Sequence, residues 1–196
     1  GIRAPAPPGP TAPDRWTYDP LDTRPGLLEG DDPPNLVDQR GVLNLAGRGL
    51  VYHTAPFDRA TEISGFPRAT LWVTMDVPDT DLRVTLYEIT AEGRSILVSE
   101  LLFRARYRES LRQAKLVTPG AVTRFELDKF SFMSRRVAQG SRIRLVVESP
   151  NSIFLEKNYN SGGDVARETA KDARAAHLAL YHDTAHWSTL ELPIMR

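Results

Sequence analysis

No cysteine occurs among the 196 residues. Disulfides and thiolate metal sites are therefore excluded, and the fold cannot depend on an oxidising compartment. That absence leaves the location undetermined, with a cytoplasmic setting slightly favoured. An excess of one charge is missing too, since 25 basic residues balance 25 acidic ones. Nucleic acids and membrane surfaces are usually met by a basic excess, so the balance argues against either as a partner. No apolar run approaches the roughly 18 residues of a membrane helix. The opening GIRAPAPPGPTAP lacks the apolar core of a signal peptide, so none is expected within this chain.

Catalytic fingerprints are absent as well. There is no P-loop, no H-E-x-x-H, no glycine-rich dinucleotide turn and no EF-hand loop. A hydrolase nucleophile would need G-x-S-x-G on a strained strand-to-helix elbow. The nearest stretch, Gly93-Arg94-Ser95-Ile96-Leu97, lacks the second glycine and sits between two strand patterns. No catalytic residue is assigned, and no cofactor or metal is expected.

What is present reads as one all-β domain. Five prolines fall within residues 1–14 and keep that stretch extended, as a linker or lead-in to a domain spanning 15–196. RWTYDP has the aromatics of a short strand, followed by a long Pro-, Gly- and Asp-rich loop that carries Leu27 and Leu28. From Gly49 the strand patterns are regular. Leu71, Val73, Met75 and Val77 alternate with Thr70, Trp72, Thr74 and Asp76, a period of two. Pro78-Asp79-Thr80-Asp81 supplies turn chemistry. Leu82, Val84 and Leu86 then alternate with Arg83, Thr85 and Tyr87, and the phase slips between Glu88 and Ile89, which predicts a bulge or a strand end there. A hairpin-type turn at Ala91–Arg94 leads to SILVSE, and AVTRFELD, FSFMSRRV, GSRIRLVVES, HLALYHD and WSTLELP continue the series. About ten short strands with turns between them are the signature of a sandwich or barrel. One short surface helix is expected near 164–176, where Asp164 can cap a run of helix formers.

Several side chains invite a chemical reading. Arg104, Arg106 and Arg108 share one side of an extended segment and could hold an anion, but a solvated face paired to Glu100, Glu109 and neighbouring acids is the favoured reading. His177, His182 and His186, with Asp183, have zinc-ligand chemistry, yet their β context favours capping or hairpin-stabilising roles. Asp79 and Asp81, or Asp31 and Asp32, could hold calcium, although turns collect aspartate for conformational reasons. Trp16, Trp72 and Trp187 could form a sugar platform, with packing favoured for Trp72.

The run VYHTAPF, EISGFPRATLWVTMDVPDTDLRVTLYEITAEGRSI and LLFRARYRESL resembles the C-terminal domain of the X-Pro dipeptidyl-peptidase and cocaine-esterase-like (CocE/NonD) serine hydrolases. TYDP, VDQR, GSRIRLVVES, NYNSGG and HLALYHDTAHWSTLELPIM match further family segments in the same order. The resemblance covers nearly all of residues 15–196. It implies a jelly-roll β-sandwich of galactose-binding-like fold that packs on an α/β-hydrolase domain and a helical cap of the same parent protein. Those catalytic domains, which would carry the Ser-Asp-His triad, are absent from this chain. It implies an accessory role, with this chain inactive alone, and places Leu27 and Leu28 in the substrate-pocket lining. Homodimer formation is a further expectation. The alternative is a separate carbohydrate- or ligand-binding module.

Overall fold

The computed structural model describes Gly9 and residues 11–24, 48–152 and 154–195. Eleven strands form among them: β1 (Asp14–Tyr18), β2 (Gly49–His53), β3 (Thr61–Gly65), β4 (Arg68–Met75), β5 (Asp81–Ile89), β6 (Ser95–Arg104), β7 (Thr123–Leu127), β8 (Met133–Val137), β9 (Arg142–Glu148), β10 (Ala176–Tyr181) and β11 (Thr189–Glu191).

Their pairing is nested. β5 pairs β6, β4 pairs β7, β3 pairs β8, β2 pairs β9 and β1 pairs β10, all antiparallel. The chain is thus one long hairpin with its turn at residues 90–94, where Gly93 takes φ 85°. Rolling that hairpin up adds the pairs β10–β4, β11–β4 and β5–β9. The result is a jelly-roll sandwich, which leaves few exposed edges. One sheet holds β1, β10, β4, β7 and β11; the other holds β2, β9, β5 and β6; β3 and β8 form a separate ribbon.

The alternation read from the sequence sets the core. Leu71, Val73 and Met75 of β4 face Leu82, Val84 and Leu86 of β5, all at most 1% exposed. Phe125 of β7 and Phe103 of β6 bring the sheets together, with ring centroids 5.6 Å apart. β10 and β11 run along the same edge of β4, interrupted by residues 182–188. Ser188 closes the gap: its Oγ accepts from the Trp72 amide at 2.9 Å and donates to the Tyr181 carbonyl at 2.6 Å.

The strand end expected at the Glu88/Ile89 phase slip is present, since β5 closes at Ile89. A bulge lies earlier, at Leu86/Tyr87, where the register skips Val98 of β6. Glu88 continues the inward face, buried, and its carboxylate pairs with Arg135 of β8. The turn read at Pro78–Asp81 lies inside the fold. It carries the chain from one sheet to the other, and Asp79 and Thr80 are fully buried. The helix near 164–176 is replaced by two 3-10 turns, Val165–Arg167 and Ala170–Asp172. Glu168 breaks it. Its backbone is extended, and its carboxylate accepts from the amides of Tyr159 at 3.0 Å and Gly163 at 3.1 Å and from the Ser161 hydroxyl. Thr169 then starts the second turn with a capping box to Asp172.

Because Phe125 is fully buried between the sheets, Phe125→Ala is expected to cost about 3–5 kcal/mol. Urea unfolding of the variant checks this, and a loss under about 1 kcal/mol would show that the core collapses around the gap.

Candidate functional site

The acidic turn, the arginine-rich segment and the Asn-rich loop meet at one end of the sandwich. β6 ends at Arg104, and Ala105–Tyr107 form a 3-10 turn. The antiparallel register sets Arg104 opposite Asp81. Asp81 accepts from Arg104 through both oxygens, at 2.8 and 3.1 Å. One step further along, Asp79 accepts from the Arg106 amide at 2.8 Å and its Nε at 2.7 Å. Asn158 lies between the two carboxylates and donates to both, at 2.8 and 3.0 Å. Arg106 Nη1 donates to the Gly163 carbonyl at 2.8 Å, which ties the Asn-rich loop to the turn.

The sequence around this network fits it closely. Asn160 is held at φ 64° with its amide donating to Asn158 Oδ1 at 2.8 Å. Asparagine tolerates that conformation better than most residues. Gly162, at φ 84°, abuts Pro78 so closely that a Cβ would stand 2.8 Å from its ring. Burial pushes the Asp79 carboxyl above its ordinary pKa, against the pull of Arg106 and Asn158. The Asp81 hydrogen bonds hold the Arg104 guanidinium above its ordinary value, against desolvation. The favoured reading of arginines paired to acids holds in part: Arg108 pairs with Glu109 at 3.5 Å, while Arg104 and Arg106 pair with the turn's Asp81 and Asp79 and are largely withdrawn from solvent. Arg108 also donates to the carbonyls of Ala105 and Lys115. Asp79 and Asp81 point their oxygens at donors, an arrangement that suits guanidinium rather than calcium.

Beside this network a neck brings residues 20–24 close to Arg48. Asp22 pairs with Arg48 at 2.9 Å across that neck and with Arg24 at 2.7 Å. Asn151 donates to the carbonyls of Pro20 and Asp22, and Lys157 Nζ donates to the Pro20 carbonyl at 2.9 Å. A small cleft, lined by Tyr18, Asp81, Asn151, Glu156 and Lys157 among others, opens here with about 210 Å³ of space. That space includes open solvent, so the cleft encloses no ligand-sized cavity. Leu27, Leu28, Asp31 and Asp32 lie outside the described residues.

The histidines scatter. His177 is clamped by Asp76 through its amide at 2.8 Å and Nδ1 at 2.7 Å. His186 stacks edge-on against Trp72 and Tyr181, with its amide bound to Asp183. His182 contacts Asp14 at 3.1 Å and Thr11 at 3.0 Å, and Asp14 also accepts from Tyr52 OH at 2.7 Å. That hydroxyl–imidazole–carboxylate order mimics a triad. However, Thr11 is exposed on an arm flanked by Pro10 and Pro13, which lack amide donors for an oxyanion. The contacts fasten the entering strand to both sheets. Trp16 is buried in the core. Arg124 lies over the half-buried Trp72 ring at 5.9 Å, and His186 meets that ring edge-on. Ser95 is buried at the start of β6 within the hairpin.

Residues 3–191 match the family model described as the X-Pro dipeptidyl-peptidase C-terminal non-catalytic domain. The chain belongs to this family. The cocaine esterase of Rhodococcus sp. (strain MB1 Bresler) is 30% identical over 189 residues, which cover 93% of this chain and 32% of the esterase. An aminopeptidase structure from a marine sediment archaeon of the Thaumarchaeota superposes with a TM-score of 0.82 at 20% identity, covering 98% of this chain and 34% of that one. An α-amino acid ester hydrolase structure gives 0.80 at 21% identity, again covering 98% and 34%. The PepX-type C-terminal domain therefore spans about a third of the length of each of these hydrolases.

Asn158, Asn151, Lys157 and Glu168 escaped sequence reading. One signal for the network was available: Asp79 and Asp81, like Arg104 and Arg106, are spaced by two, which an antiparallel register can match. Removing one member of a buried pair strands the other charge and costs about 3–5 kcal/mol. Arg106→Ala is expected to lose that much. Arg106→Lys should recover less than half of it, because one ammonium cannot reach both Asp79 and the Gly163 carbonyl in a fixed fork. Chemical denaturation of both variants checks the pair, and equal stability of Arg106→Ala and wild type would remove the network from the fold's requirements.

Proposed function

We propose that this domain is the accessory unit of a serine hydrolase whose α/β-hydrolase and cap domains lie on the same parent polypeptide. The observation that carries the reading is the family match over nearly the whole chain, joined to relatives three times as long that are named as hydrolases. Those names span esters and an aminopeptidase. Both activities are acyl transfer to water, a reaction that needs a nucleophile, a general base and an oxyanion hole in one place. No such assembly occurs among the described residues, so the chemistry belongs to the upstream part of the parent.

In this reading residues 1–14 form the linker, and the domain contributes stability and pocket shape. Leu27 and Leu28 would supply apolar lining to the acyl-binding side of the site. The Asp22–Arg48 pair, with Asn151 and Lys157, supports this by fixing both ends of the segment that carries them.

This chain alone is expected to turn over neither Gly-Pro-anilide nor short nitrophenyl esters, whereas the parent protein hydrolyses one of these classes and is silenced by a serine-directed reagent. Turnover by the isolated chain that survives Thr11→Ala and yields to the same reagent would overturn the reading. In the parent, Leu27→Ala with Leu28→Ala is expected to raise KM several-fold while leaving the thermal midpoint within about 2 °C, as an exposed surface change would. An unchanged KM would take both leucines out of the pocket.

A further inference from the structure

Phe66 and Phe132 are 60% and 58% exposed, yet their rings pack on each other with centroids 5.4 Å apart at 70°. Exposed apolar side chains are ordinary when scattered singly, and two aromatic rings held together in water are not. Among the described residues this is the only ring contact between exposed large hydrophobics.

The backbone on either side is held firmly. Phe66 follows the last residue of β3 and Phe132 precedes the first of β8, and those two residues, Gly65 and Met133, face each other in the ribbon. Pro67, Met133 and Phe130 are buried beside the rings. Ser131 is tied to β6: its amide donates to the Glu100 carbonyl at 3.2 Å and its carbonyl accepts from the Ser99 hydroxyl at 2.7 Å. Gly65 takes φ 136°, where a Cβ would meet Pro193 at 3.0 Å. The rings therefore project from a fixed base, with their rotamers constrained by each other. Along the sheet next to them stand Arg68, Asp128 and Glu191, whose neighbours Ala69, Leu127 and Leu190 are in register, and Lys129 follows. All four are exposed. An aromatic centre with a charged rim is the composition of a protein–protein contact.

The path of the chain indicates what covers it. β1 is antiparallel to β10, and β10 is antiparallel to β4, so β1 and β4 run in the same direction. Asp14 shares its level with Leu180 and Val73. At about 3.3 Å per residue, Thr11 stands near the level of Thr70, so residues 11–13 enter β1 from the side of the sandwich end that bears Phe66. Thr11 is held on that course by His182. The described entry of the chain thus lies toward the end that carries the two rings. The relatives carry two-thirds of their length outside the matched domain.

We propose that the Phe66–Phe132 face is the docking surface for the catalytic part of the same polypeptide. The proposal rests on the reading of the domain as a hydrolase's accessory unit and adds the place of contact. A partner that arrives on a short tether meets the surface at high effective concentration, so a small aromatic contact suffices to hold it.

The chain's lack of cysteine makes thiol footprinting direct. Arg68→Cys and Lys129→Cys are introduced singly into the full-length parent, with Leu111→Cys, 70% exposed, as a comparison site. Maleimide labelling is followed by peptide mass spectrometry, and each rate is referred to that of a short cysteine peptide. The expected result is labelling at least tenfold slower at 68 and 129 than for the peptide, at every protein concentration. Adding Phe66→Ser and Phe132→Ser should bring both sites back to within threefold of the peptide. Rates within threefold of the peptide in the otherwise unaltered parent would overturn the proposal. So would slow labelling that is lost on dilution together with a dimer seen by light scattering, which would assign the face to a second copy. If the parent hydrolyses esters or Gly-Pro-anilide while both sites label quickly, the accessory reading stands and only this docking face falls.

Discussion

The fold depends on a carboxylate placed where water cannot reach it. Asp79 is fully buried at the point where the chain passes from one sheet to the other. An isolated buried charge would cost far more than a single turn can return. Its neutralisation draws in three distant parts of the chain: Arg106 from the end of β6, Asn158 from the long loop before β10, and Gly163 through Arg106. Each of these then fixes its surroundings. Asn158 orients Asn160, and Glu168 gathers the amides of the same loop. The polar end of the sandwich is therefore one connected structure whose members cannot be altered independently. Such a network gives up some stability relative to an apolar core. In return it sets the geometry of the neck at Asp22 and Arg48, which lies beside it through the shared segment from Asn151 to Asn158.

Much of this could be read before any coordinates. The period-two pattern of β4 identifies its buried face residue by residue, because an alternating strand with one apolar side has one register that hides it. In β5 and β9 it finds only part of what is buried, since Thr85, Tyr87 and Val146 of the other faces are buried as well and Leu145 only half. The nested pairing was not legible, since it depends on which strands meet rather than on where strands are. What was missed shares a cause. Glu88 looked like a break in the pattern because a carboxylate at an inward position reads as polar, whereas Arg135, 47 residues away in the chain, lets it stay inside. At the Pro78–Asp81 turn, aspartate would ordinarily cap amides nearby. Here its partners are 27 and 79 residues downstream. Local propensity also favours a helix at 164–176, and a single tertiary demand on Glu168 outweighs it. Propensity and alternation are short-range quantities, so they fail where long-range polar pairs decide. The pocket-lining role of Leu27 and Leu28 came from family resemblance alone, because two adjacent leucines in a polar loop carry no chemistry that names a substrate.

The contrast between the two ends of the sandwich bears on what the domain is for. One end spends its polar groups on itself: the carboxylates of Asp79 and Asp81 and the guanidiniums of Arg104 and Arg106 are turned inward to one another. Carboxylates held by these donors are unavailable to hold an ion, which agrees with a domain described as non-catalytic. The other end does the reverse. It uses a strained glycine and a ladder of hydrogen bonds to hold two aromatic rings in solvent. Stability alone favours turning such rings inward, as Phe130 is turned two residues before Phe132. The same connection alternates the buried Phe130 with the exposed Phe132, whose ring meets Phe66, and that paired exposure is the pattern from which the docking face is proposed.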